Sequence, residues 1–136
     1  MRPRRVALRG AARVQELVER VLQTRSQEVR ELTAALDRRE KRGLHDFRIA
    51  CKRLRYAVER FASLKPALDA IGERLAVLQD ALGEAHDRDV LLAILPPTMP
   101  ATERRLRNER EACVDRAVML WKDVEQRMRA LDSHRI

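Results

Sequence analysis

The stretch LHDFRIACKRLRYAVERF, Leu44 to Phe61, decides how this 136-residue chain is read. On a helix advancing about 100° per residue, with His45 at zero, Lys52, Arg48 and Arg55 fall at about −20°, −60° and −80°. Phe47, Ala50, Leu54, Ala57, Val58 and Phe61 gather on the opposite side. Arg53 points to another flank, and Glu59 falls back among the cations. Four donors therefore share one face over about 15 Å of axis, at about 1.5 Å rise per residue. Like charges three and four residues apart weaken a helix by roughly a few tenths of a kcal/mol per pair. A bound anion relieves that repulsion. Guanidinium offers forked donors to phosphate oxygens, and ammonium adds a point charge. His45, near the start of the helix, adds one more donor. Spacing alone also fits the solvated face that a basic protein carries by default, and it does not choose a ligand.

The rest of the chain is consistent with a helical domain. One domain with its own core suits this length. Apolar residues at 45% and charged residues at 37% suit helices with a dry face and a wet face. Only 4 Gly and 5 Pro leave too few turns for an all-β fold. The net charge of +8 predicts attraction to polyanions, whether nucleic acid, anionic membrane or phosphate polymer. Aromatics are only 3%, and three of the four (Phe47, Tyr56, Phe61 and Trp121) fall at apolar helix positions. Little is left for base stacking, so the basic surface suits phosphate better than bases. Trp121 reads as core packing.

Breakers divide the chain into four expected helices, at about 5–42, 44–64, 66–95 and 101–133. Gly43 reads as the residue just past the first helix. Lys65–Pro66 stops the second, and LPPTMP (Leu95 to Pro100) stops the third. Gly83 is a possible kink. In the last segment Leu106, Cys113, Ala117, Leu120, Val124, Met128 and Leu131 keep the spacing of a buried seam. Four amphipathic helices with mostly short connections imply an all-α, antiparallel up-down four-helix bundle. Cys51 and Cys113 read as buried reduced thiols, with no CxxC and no zinc pattern. MRPRRVALRG is basic but leads into no apolar signal region, and VLLAIL (Val90 to Leu95) is too short to span a bilayer. A cytoplasmic protein with no membrane partner is expected.

The stretch from Leu44 resembles the CHAD family, the conserved histidine α-helical domain. The likeness rests on His45, then Arg48, then the cluster Lys52–Arg53–x–Arg55. LQDALGEAHDRDVLLAIL (Leu78 to Leu95) resembles the family's later helix, with its Leu–Gly and Asp–x–Asp–Val–Leu–Leu run. ALDSHRI, at the end of the chain, resembles the place where a first bundle gives way to a second. The resemblance implies one half of a CHAD domain. It also implies non-catalytic binding of inorganic polyphosphate, at polyphosphate granules; no metal and no cofactor are expected. Carried over residue by residue, it assigns polyphosphate contacts to His45, Arg48, Lys52, Arg53 and Arg55. His86 stands where the family pattern has Arg, which makes that contact weaker, pH-dependent or absent. Family members usually carry two bundles, so a single one is either a half or rebuilds the pair as a homodimer.

Asp87 and Asp89 read as supporting acids that hold an Arg of the second or fourth helix, rather than as metal ligands. The arginines of the first and fourth helices, Arg110 among them, read as solvated face or as partners of nearby Glu. Arg25 reads as snorkelling or lining a channel. Two other functions compete with polyphosphate binding. One is sequence-nonspecific binding of a nucleic-acid backbone. The other is a metal-dependent phosphohydrolase, suggested by His45–Asp46 and His86–Asp87. Adjacent helix residues diverge by about 100°, which weakens the second. A metal site needs at least three converging ligands, and the third histidine, His134, falls in an expected frayed tail.

Overall fold

A computed structural model describes residues 2–7, 9–10 and 13–133, Ser133 by its backbone alone. His134 therefore lies outside the described residues, as do Leu8, Ala11 and Ala12 of the expected first helix. The elements are α1 (Val14–Arg30), α2 (Ala34–Arg38), α3 (Lys41–Phe61), α4 (Leu68–Ile94) and α5 (Pro100–Ser133). No strand occurs among the described residues. The chain is all-α, with its four longer helices packed together. α4 packs against both α3 and α5, and α3 also carries α1 and α2.

The expected helix over 5–42 is replaced by a strap and two helices. Residues 2–7 have no regular structure. They lie along α1 because α1 supplies their partners. The Arg4 backbone N–H donates to Glu28 Oε2 at 3.3 Å, and its guanidinium pairs with Glu31. Arg20 Nη1 donates to the carbonyls of Ala7 at 3.0 Å and Arg9 at 2.8 Å. Arg25 neither snorkels nor lines a channel. It donates to Glu28 Oε1 at 2.5 Å and to the Arg4 carbonyl at 3.1 Å.

The end expected at Gly43 falls instead at Arg39, which adopts the left-handed conformation at φ 57°. A non-glycine residue accepts this when its surroundings hold it. Arg39 reaches across to α5, with Glu111 and Asp115 each 2.6 Å from its guanidinium. Gly43 sits inside α3, where a Cβ would come 2.9 Å from that of Ala35. Glycine here lets α2 and α3 approach closely.

The core is built around Phe47, Leu54, Leu68, Ile71, Leu75 and Leu78, all fully buried. Phe47 meets Trp121 edge to face, with centroids 5.8 Å apart and planes at 88°. Trp121 is thus core, as expected. Cys51 and Cys113 are buried free thiols, and burial pushes both above the ordinary thiol range. Pairs between α4 and α5 step in opposite directions from Arg74 with Asp123, through Glu84 with Cys113, to Arg88 with Glu109, and Asp89 with Arg110 lies beside the last. Pro100 opens α5, a position where its missing N–H costs nothing. An apolar groove of about 420 Å³ lies between α1 and the end of α5, lined by Val14, Val18, Leu22, Leu64, Met128 and Leu131.

Gly43→Val should lower unfolding stability in urea by about 1–3 kcal/mol, the usual cost of overpacking. Adding Ala35→Gly should restore part of the loss. No loss in the single variant would contradict a tight α2–α3 contact.

Candidate functional site

Burial fixes which way α3 faces. Leu44, Phe47, Ala50, Cys51, Leu54 and Val58 are buried, so the other side of the helix is turned outward. His45 and Lys52 are exposed on it, while Arg48 and Arg55 are half-buried. Lys41, His45, Arg48 and Leu44 form one wall of a cleft, and Leu82, Ala85, His86 and Asp89 of α4 form the other. His86 thus joins His45 from a different helix.

Arg48 is the centre of this face. Its guanidinium lies across Gly83, where a Cβ would sit 3.5 Å from Nη2. α4 continues through Gly83, and the glycine expected as a kink instead gives Arg48 room. Arg48 Nε is buried with no hydrogen-bond partner among the described residues. Leaving such a donor unsatisfied costs about 1–3 kcal/mol. Among the described residues no carboxylate forms an ion pair with Lys41, His45, Arg48, Lys52 or His86.

The acid of the cleft, Asp89, is only 8% exposed, and it is already taken. Arg110 Nε donates to Asp89 Oδ1 at 2.5 Å, and Nη2 donates to the Arg39 carbonyl at 2.7 Å. Arg110, expected on a solvated face, is therefore the residue that Asp89 holds. Asp87 is exposed and makes no ion pair among the described residues.

Further along α3, Arg55 Nε lies 3.2 Å from Glu59 Oε1, an ion pair not angled as a hydrogen bond. Arg55 and Lys52 also lie 5.3 Å and 5.7 Å from the Tyr56 ring centre. Both are within cation–π range. Arg53 is half-buried on another flank, has an interaction of its own and does not line the cleft.

Sequence reasoning missed Lys41 and Tyr56. Lys41 precedes His45 by one helical turn and falls at about −40° on the same wheel. Placing a helix end at Gly43 had cut it off. The first turn of α3 holds no acid, and Glu40 makes no side-chain cap there. The positive end of the helix and Lys41 thus reinforce each other. Tyr56, half exposed, follows Lys52 by four residues and steadies two cations rather than packing inside.

A family model described as CHAD domain matches residues 2–96. The chain belongs to the CHAD family. No curated protein and no solved structure matches it. The CHAD match takes in α1 to α4, and so every residue of the cationic face. α5 lies beyond the match and contributes Arg110. Among the described residues no three His, Cys, Asp or Glu side chains cluster as metal ligands would. No helix among them is long and apolar enough to cross a membrane.

Asp89→Ala should lower unfolding stability by about 3 kcal/mol, because it strands the Arg110 charge in a buried setting. Asp87→Ala should change it by less than about 0.5 kcal/mol. Equal effects in denaturant titrations would contradict the assignment of Asp89 as the structural acid.

Proposed function

We propose that this CHAD domain binds inorganic polyphosphate along the outer face of α3, without turning it over. One observation carries the reading. Arg48 and Lys52 have no carboxylate partner among the described residues, and the nearby Asp89 is engaged by Arg110. The face keeps its positive charge where a neutralised surface would lose it. Lys41, His45, Arg48, Lys52 and Arg55 span about 21 Å of axis, at about 1.5 Å per residue. Fixed cations at that spacing contact successive phosphates of one chain.

Membership of the CHAD family supports polyphosphate over other polyanions. The aromatic side chains support phosphate over bases. Phe47 and Trp121 are buried, and Tyr56 lies beneath two cations. Polyphosphate granules are the corresponding cellular site. We read the helices as an antiparallel up-down bundle, and a two-fold pair of copies would set two such faces around one axis.

Binding of long polyphosphate should weaken at least about tenfold in Arg48→Ala/Lys52→Ala/Arg55→Ala, with helical circular dichroism unchanged. Loss of one hydrogen bond to a charged group is worth roughly 1.5–3 kcal/mol. Affinity should fall linearly with salt on logarithmic axes, and longer chains should bind more tightly. Displacement by duplex DNA at equal phosphate concentration would favour a nucleic-acid backbone as the ligand. Steady phosphate release with Mg²⁺ or Mn²⁺ would overturn the non-catalytic reading.

A further inference from the structure

Two imidazoles, those of His45 and His86, line the cleft between α3 and α4. We propose that polyphosphate binding on this face is coupled to proton uptake by His45 and His86, so that the domain grips the polymer more tightly as pH falls. This rests on the reading of α3 as a polyphosphate-binding face.

The charges around the two histidines come from three helices. α3 presents Lys41 and Arg48, and α4 presents Asp89. α5 presents Arg110, which engages Asp89 at 2.5 Å. Asp46 and Asp87 each follow a histidine by one residue and so diverge from it by about 100°. Glu40 and Glu111 line the neighbouring cavity, and Glu111 is bound by Arg39 at 2.6 Å. Glu84 accepts a hydrogen bond from the Cys113 thiol. Among the described residues, therefore, the one carboxylate that lines the cleft is Asp89, and it is already engaged by Arg110.

Without ligand, such a proton adds to the charge of Lys41 and Arg48. With phosphate seated, the ligand supplies both the counter-charge and the acceptor oxygens for an imidazolium N–H. The bound state then holds more protons than the free state. Affinity must rise as pH falls through the range in which imidazole changes charge, about pH 8 to 5. Both histidines are exposed, so protons exchange freely with solvent.

The test is binding of long polyphosphate at constant ionic strength, from about pH 7.5 to about pH 5.5. Wild type should tighten at least about tenfold, since each linked proton changes affinity by up to about tenfold per pH unit. His45→Gln/His86→Gln should bind more weakly and lose the slope. His86→Arg, which keeps a charge but does not titrate in this range, should lose part of it. Calorimetry in two buffers of different ionisation heat should show proton uptake in wild type and little in the double variant. Unchanged wild-type affinity across the range, or a double variant with the wild-type slope, overturns the coupling and leaves polyphosphate binding standing. No binding of wild type at either pH overturns both.

Discussion

The arrangement depends on one helix with two incompatible sides. Fully burying a Leu, Val or Phe side chain is worth about 1.5–3 kcal/mol. Repulsion between neighbouring cations on a helix costs only roughly a few tenths of a kcal/mol per pair. Leu44, Phe47, Leu54 and Val58 are all buried, so burial outweighs repulsion several-fold. The core therefore sets the orientation of α3, and the cations are carried on its outer side at fixed spacing. Arg48 Nε, without a hydrogen-bond partner among the described residues, is a local cost of the same geometry.

What makes the face basic is as much where the acids go as where the cations are. Asp89 is bound by Arg110, and Glu111 and Asp115 are bound by Arg39. Asp123 lies between Arg127 and Arg74, and the guanidinium of Arg127, then that of Arg74, holds its carboxyl below the ordinary carboxylate range. These ties involve α5, and they fasten it to α4 and to the turn before α3. Among the described residues Arg55 has Glu59 beside it, while Lys41, Arg48 and Lys52 pair with no carboxylate. The same pairs that assemble the bundle therefore leave the positive charge of α3 available.

The helical class was legible because apolar spacing at three, four and seven residues is a local signal. His45, Arg48, Lys52 and Arg55 were legible as one face for the same reason. The boundary at Arg39 was not, because its left-handed backbone is held by Glu111 and Asp115, 72 and 76 residues away in sequence. Glycine is the usual residue at a helix end, and Gly43 drew the boundary to itself although its use is close packing on Ala35. That one misplacement hid Lys41. An arginine partner for Asp89 was foreseeable, but the choice of Arg110 depends on the register between α4 and α5. The place of Gly83 beneath Arg48 likewise depends on how α3 and α4 meet.

The most direct measurement is a nuclear magnetic resonance titration with long polyphosphate that follows arginine, lysine and histidine side-chain signals. A polymer held along α3 predicts early, saturable shifts at Lys41, His45, Arg48, Lys52 and His86, with little change at the exposed arginines of α5, Arg104, Arg105 and Arg116. Shifts spread evenly over all these cations, or concentrated on α5, would contradict a polymer held along α3.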